Sequence, residues 1–532
     1  MNRHFGWREA ALAVFGLALL GGLAFGPLVL HGGFHFDDWS NGADTLFPPA
    51  GTNEFKHLSE TTLFRPVLIA YVPLTYLVFG LHEWLHLAWS IALGITVSSL
   101  LYAVLRLLDL PRLHAAFIAA LVLIFPWFDG IRYWPTGAQV SLSLTFMLTG
   151  LVLALIGLRR KSLKWHFGAA AFYLTSILTY EIALPVIAML GVLYVGRVGW
   201  RDGRIRWGID IVTAIVGGLW VGTHTERIKS GISGDISHLG EIIDGGSEIM
   251  GRTVVPLGGP HTTLGLALLS AVFASGVAVY FLGPRPSKPH SEWDLRNWLL
   301  LGAGGFAVAV LGWVILIPAD PYYTPQIWGV SNRINGLAGI GLVILVYAAI
   351  GVIADLAARA IRGRPSTTSL AICITLALLL TGCYLSVIRR HNGIWNAAYE
   401  AEATAINRIQ ERYPTLPHGT TLFVSGYPAY QTLGVPILSS SWDVRGMVQD
   451  TYEDGTLNAQ PVLEGLVIDC RPDVVGLAGV NGVTAPPYSA PYGMARLFDL
   501  ASGKSARPLT RRECLSVAAE YKPGPTVLSY EY

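Results

Sequence analysis

The feature that most constrains this 532-residue chain is a succession of apolar stretches, each about 20 residues long, the length an α-helix needs to cross a hydrocarbon layer. They lie near residues 10–30, 84–106, 115–130, 136–158, 166–181, 182–198, 208–224, 262–282, 298–318, 334–357 and 369–387. In lipid a backbone must satisfy its own hydrogen bonds, so such a chain folds as a helical bundle. Composition agrees, with 52% hydrophobic and 14% charged residues against roughly 25% charged in soluble domains. The sequence predicts an all-α polytopic membrane protein of about eleven transmembrane helices, set in membrane lipids. Its first stretch, Ala10 to Leu30, has no charge and exceeds the ~7–15 residues of a signal-peptide core, so it is expected to remain as an anchor.

Charge bias sets the orientation, because cytoplasmic loops collect Lys and Arg. Alternate loops do so: Arg3 and Arg8; Arg106 and Arg112; Arg159, Arg160, Lys161 and Lys164; Arg197, Arg201, Arg204 and Arg206; Arg285, Lys288 and Arg296; Arg359, Arg362 and Arg364. The N-terminus is expected in the cytoplasm, and an odd number of spans places the C-terminus outside, as in a multi-pass protein of a bacterial inner or plasma membrane. A net charge of +2, from 37 basic and 35 acidic residues, gives no basic field for nucleic acid, and no nucleic-acid-binding motif is present.

Three segments facing the non-cytoplasmic side are more polar than a connection requires: 31–83, 225–261 and the tail from about 388 to 532. The chain thus divides into a transmembrane domain, 1–387, and an extracytoplasmic domain, 388–532. The tail combines a polar helical stretch, Trp395 to Tyr413, with short β-like runs at Thr421–Ser425, Val467–Asp469, Val474–Leu477 and Val527–Tyr530, and reads as a small α/β unit. Cys470 and Cys514 lie in this tail, where an oxidising compartment favours a disulfide; Cys373 and Cys383 lie in an apolar run.

Chemistry is expected where carboxylates leave the bilayer. His35-Phe36-Asp37-Asp38-Trp39 follows the first span directly. Adjacent carboxylates at a membrane surface are costly unless hydrated, paired or used. Either Asp37 or Asp38 can serve as a general base towards an acceptor hydroxyl, or both can cap the helices of a solvated loop. Phe64-Arg65-Pro66-Val67 and Leu77-Val78-Phe79-Gly80-Leu81-His82 follow in the same segment. Phe125-Pro126 with Arg132-Tyr133-Trp134 lies between the third and fourth spans, and Tyr180-Glu181 between the fifth and sixth.

This order of motifs over residues 1–200 resembles the GT-C class of membrane glycosyltransferases. Within that class it is most similar to bacterial relatives of the protein O-mannosyltransferases and of the tetratricopeptide-containing transmembrane O-mannosyltransferases. The resemblance implies an inverting transfer of one sugar from a polyprenyl-phosphate carrier to a glycan, lipid or protein acceptor. Asp37 or Asp38 would be the base, with Glu181 near the same pocket. The leaving phosphate needs no acid, so one carboxylate suffices. Two departures stand out: Tyr180 occupies the place of a basic residue before Glu181, and no tetratricopeptide array follows.

A sugar phosphate calls for a cation, and Arg is suited by its bidentate geometry. The resemblance leads to an Arg near the start of the tenth span, where Arg333 stands after Pro318-Ala319-Asp320-Pro321-Tyr322-Tyr323. Arg65, Arg132, Arg227, Lys229, Arg252 and His261 are the other cations on that side. Trp127, Tyr133 and Trp134 either stack on sugar or form an interfacial belt. No metal is required, and a divalent ion bridging Asp37, Asp38 and phosphate stays open. A transporter or flippase of lipid-linked sugars is the alternative function; it calls for ionisable or helix-breaking features at mid-membrane.

Overall fold

The computed structural model describes residues 6–48, 53–225, 236–257, 262–282, 293–319, 323–361, 365–480 and 482–528. In chain order its helices are α1 (Trp7–His31), α2 (Asp37–Leu46), α3 (Glu54–Thr61), α4 (Pro66–Phe79), α5 (Glu83–Leu107), α6 (Arg112–Leu123), α7 (Gly130–Tyr133), α8 (Gln139–Arg160), α9 (Leu163–Thr179), α10 (Leu184–Met189), α11 (Gly191–Val198) and α12 (Trp200–His224). There follow α13 (Ile236–Val254), α14 (Thr262–Leu282), α15 (Leu295–Val314), α16 (Gly336–Ala360), α17 (Pro365–Arg412), α18 (Ser441–Tyr452) and α19 (Arg511–Val517).

Among the described residues nine helical segments are long and apolar enough to cross a membrane. Two expected spans are shorter than the sequence suggests. The stretch near 115–130 stops at Leu123, because a residue before proline is pushed out of the helical region and Phe125 precedes Pro126. The stretch near 166–181 stops at Thr179, where Tyr180 adopts an extended backbone. The segment Val330–Ala360 is the hub of the bundle, with 89% of its apolar window buried against 17% for α14. Glycines let α15 and α16 meet backbone to backbone: a Cβ on Gly305, Gly312 or Gly341 would stand 2.7 Å or less from the facing main chain. Outward-facing Leu12, Phe15 and Leu23 of α1, Val212 and Leu219 of α12, and Phe306 of α15 leave an apolar perimeter suited to lipid.

Four of the basic loops gather at one end of the bundle. Glu9 at the start of α1 binds Arg106 (2.5 Å) and Arg112 (2.6 Å), and Arg197 binds Asp109 (2.6 Å) and the Leu107 carbonyl (3.0 Å). Arg159 joins the same carbonyl. The polar segment with α2, α3 and α4 occupies the opposite end of α1 and α5.

The tail begins without a joint. α17 runs through residue 388 as one 48-residue helix, so the boundary expected there falls inside a continuous rod. Beyond it, β1 (Thr421–Ser425) pairs in parallel with both β4 (Asn458–Pro461) and β8 (Ala495–Asp499), and β9 (Ser505–Ala506) runs antiparallel to β8. β2 (Tyr430–Thr432) and β3 (Val435–Pro436) form a small hairpin; β5 (Leu466–Cys470), β6 (Val474–Gly479) and β7 (Ser489–Pro491) form an antiparallel sheet. Of the strand expected at 527–530, Val527 makes a single bridge to Tyr430, and the last two residues lie outside the described ones.

The tail is docked on α2 through α18. A Cβ on Gly446 would lie 2.5 Å from the main chain of Trp39 and Ser40, so the two helices touch only because that position is glycine. Gly446→Ala is expected to part them, seen as faster proteolytic release of the tail from intact membranes. Cys470 and Cys514 form a disulfide closing a separation of 44 residues. On the chain-entropy account such a closure stabilises by roughly 3–4 kcal/mol. Cys514→Ser in the full chain is therefore expected to lower the unfolding midpoint of the tail, measured against wild type in denaturant.

Candidate functional site

The site is built on the turn between α1 and α2. Phe36 takes φ of +53°, a conformation that costs a non-glycine residue of order 1–3 kcal/mol and survives only where the surroundings enforce it. Asp38 enforces it. One of its oxygens accepts the His35 N–H (3.0 Å), while the other accepts both the backbone N–H (2.8 Å) and the hydroxyl (2.6 Å) of Thr136. Its carbonyl takes the Tyr76 hydroxyl at 2.7 Å. Asp38 is fully buried, and burial pushes its pKa up to about 7 although its donors pull the other way.

Asp37 faces outward from the same turn. It is part-exposed, and its Oδ1 accepts the indole N–H of Trp442 at 2.9 Å. Burial raises its pKa, while the Trp442 hydrogen bond and the positive charge of Arg333 pull it down. The two carboxylates named together in the sequence thus have different duties: Asp38 holds the turn, and Asp37 is presented by it.

Arg333 reaches this place from the 3₁₀ turn Val330–Asn335, which leads into α16. The turn is pinned by Asn332, which donates to Asp129 (2.8 Å) and accepts from Gly130 N–H (2.9 Å), and by Asn335, which donates to the Trp127 carbonyl (2.8 Å). These bonds join the segment carrying Arg333 to the one carrying Trp134. The guanidinium donates to the Val330 carbonyl (2.8 Å) and lies 5.1 Å from the centre of the Trp134 ring and 5.9 Å from that of Tyr323.

Arg65 and Glu181 form a bidentate pair, with bonds of 2.8 and 2.6 Å. The guanidinium also sits 3.8 Å from the centre of the Tyr180 ring. Burial lowers the Arg65 pKa, but the Glu181 carboxylate more than offsets it and the net shift is upward. A basic partner for Glu181 is therefore supplied 116 residues away in sequence, and Tyr180 becomes the surface on which that partner rests. Arg333 thus lies near both Tyr323 and Trp134, and Trp134 meets Phe36 of the Asp37 turn at 5.9 Å between ring centres.

Other residues singled out in the sequence lie elsewhere. Arg132 is buried in the bundle, where it donates to the Val122 carbonyl (3.1 Å) and packs on Phe128 and Phe25. Tyr133 stacks on Trp395 and donates to Asn392 at 2.7 Å. Arg252 pairs with Glu248 and faces Trp127 and Trp328. His261, Arg227 and Lys229 lie outside the described residues. Among the described residues no three His, Cys, Asp or Glu side chains come together in a metal-holding group.

No family model matches the chain, and no curated protein matches it.

Sequence reasoning did not find Trp442, Phe36 or Tyr323 as parts of the site. Trp442 comes from α18, 405 residues after its partner Asp37, and no local pattern marks it. Phe36 contacts Trp134 and Trp442 edge-on, at 5.9 and 5.6 Å between ring centres.

The division of labour at the turn has a measurable consequence. Asp38→Asn would set an amide NH₂ against backbone N–H donors, and a buried donor left unsatisfied costs about 1–3 kcal/mol. Asp38→Asn is expected to lower the thermal midpoint in detergent, while Asp37→Asn, whose amide oxygen can still accept the Trp442 N–H, lowers it much less.

Proposed function

We propose that this protein is an inverting membrane glycosyltransferase of the GT-C kind, which moves one sugar from a polyprenyl-phosphate carrier to an acceptor hydroxyl on the extracytoplasmic face. The observation that carries this reading is a part-exposed carboxylate, Asp37, one aromatic ring away from a buried arginine: Arg333 lies 5.1 Å from the Trp134 ring, and Trp134 meets Phe36, the neighbour of Asp37, at 5.9 Å. Asp37 takes the proton of the acceptor hydroxyl as its oxygen attacks the anomeric carbon. The bond from that carbon to the phosphate oxygen breaks on the opposite side, its electron pair passes to the phosphate, and the configuration inverts. Arg333 bears the charge that grows on the leaving phosphate. The Arg65–Glu181 pair buttresses the cationic side of the site, with Glu181 fixing Arg65 rather than meeting the acceptor.

The two ends of the bundle support an orientation with the site outside. Arg106, Arg112, Arg159 and Arg197 share the end opposite Asp37, as cytoplasmic loops should. Because Arg159 meets the Leu107 carbonyl while Thr136 meets Asp38, residues 112–136 traverse the bundle despite the short α6. On this reading that segment and α9 join the nine long ones as eleven crossings, with the N-terminus in the cytoplasm and the tail outside.

Transfer of labelled sugar from membrane polyprenyl-phosphate sugars is the direct test. Asp37→Asn is expected to reduce kcat by about 10²–10⁴-fold, the usual worth of a positioned general base. Since the base works when deprotonated and burial raises its pKa, wild-type activity is lost as pH falls through a value above the ordinary 3.8. Arg333→Ala removes a charge that lowers that pKa, so it moves the acid limb further upward as well as reducing kcat. Full activity in Asp37→Asn would overturn this mechanism, and movement of lipid-linked sugar across vesicles without transfer would favour a flippase.

A further inference from the structure

We propose that Trp442 of the tail is the acceptor platform of this site and holds its base in place, and that the acceptor is accordingly a neutral carbohydrate. This deepens the glycosyl-transfer reading and rests on it. Three observations carry it.

The first is placement. Trp442 lies in the first turn of α18, a helix fixed against α2 by the Gly446 contact and by Arg445 to Asp44 at 3.5 Å. Its N–H is committed to Asp37, and Phe36 meets it edge-on at an interplanar angle of 69°, so both the position and the plane of the indole are set. The second is exposure. Although the ring is anchored on two sides, it remains 43% exposed beside the carboxylate. A large apolar ring kept in water next to a base is a surface for something that also has an apolar face. Sugar rings have one, formed by their axial C–H groups, with hydroxyls at the rim that suit neighbouring carboxylates.

The third is charge. The α18 side of the site is rich in acids: Asp443 and Asp450 are buried there, and Asp44 borders them. Burial first, and then the neighbouring Glu402, Asp37 and Asp38, hold the Asp443 carboxyl well above its ordinary range. Arg333 approaches Asp37 from the other side, the end of α16. Burial keeps Asp443 and Asp450 protonated and Arg445 is engaged by Asp44, so the tail side offers an anionic acceptor no counter-charge while Asp37 itself repels it, whereas the phosphate of the donor belongs with Arg333. A neutral polyol fits between, with the transferring hydroxyl at Asp37.

Two substitutions separate platform from positioning. Trp442→Phe keeps a ring and removes the N–H; it should leave the acceptor KM within about threefold while shifting the acid limb of the kcat profile to higher pH, because the hydrogen bond that lowers the Asp37 pKa is gone. Trp442→Ala removes the ring as well and should raise the acceptor KM by about tenfold or more with the donor KM unchanged. The assay uses full-length protein in vesicles, endogenous polyprenyl-phosphate sugar as donor, and two probe acceptors: a mixture of neutral oligosaccharides of mannose, glucose, galactose and arabinose, and a serine- and threonine-containing peptide. Thermal midpoints are recorded for each variant, and Trp442→Phe carries the test should Trp442→Ala unfold.

Transfer to oligosaccharide with both signatures supports the proposal. Transfer to the peptide alone, to neither probe, or with an unshifted pH profile in Trp442→Phe overturns it. Asp37→Asn is run beside them: if it is dead while Trp442→Ala behaves as wild type, only the platform fails; if it is active, the base assignment itself has failed.

Discussion

A single buried carboxylate, Glu402, joins the two halves of this protein. One oxygen meets His35 Nδ1 at 3.1 Å and the other accepts the Trp39 N–H at 3.0 Å, with His35 and Glu402 both fully buried. Burial depresses the His35 pKa to about 4, so at neutral pH the imidazole is uncharged and the contact is a hydrogen bond rather than an ion pair. Around it the packing leaves no slack: a Cβ on Gly33 would fall within 2.0 Å of the Tyr399 ring. The turn that presents Asp37 is therefore gripped from three directions, by α17 through Glu402 and Tyr399, by α4 through Tyr76, and by the start of α8 through Thr136. Removing any of these leaves a buried polar group facing an empty place, which is why strained Phe36 can persist.

What could be read in the sequence was what depends on short range. Apolar length showed the helices, alternating basic loops showed which connections share an end, and the adjacent carboxylates marked the turn. The two truncated spans were marked as well, by Phe125-Pro126 and Tyr180-Glu181, though only the backbone shows how early each helix stops. The continuity of α17 was hidden, because Arg389, Arg390 and His391 read as the end of a span, yet polar residues propagate a helix in water as readily as apolar ones do in lipid. Two- and three-residue strands such as β3 and β7 carry no periodicity to detect.

The site itself was half visible. Asp37, Arg333, Arg65, Glu181, Tyr180 and Trp134 were all named from sequence, but not their pairings. Arg65 with Glu181, Asp38 with Thr136 and Asp37 with Trp442 are joined across 116, 98 and 405 residues. Asp38 is told apart from Asp37 by its burial and by its bonds to His35 and Thr136, and nothing around Thr136 in sequence announces that contact. Arg132 and Tyr133 went the other way: residues that look interfacial were drawn inside by Phe25, Phe128 and Trp395.

The unbroken α17 sets a geometric rule for the whole chain. At about 1.5 Å per residue its 48 residues form a rod of about 72 Å, more than twice a hydrocarbon thickness of about 30 Å. Rod and tail share one helical phase. Inserting a residue between the apolar part of the rod and Glu402 turns everything beyond it by about 100° and lifts it by about 1.5 Å. Length change in this segment is therefore quantised: four residues nearly restore the rotation but raise the tail by about 6 Å, and no insertion restores both. The apolar end of the rod thereby acts as the ruler for a contact made well beyond it.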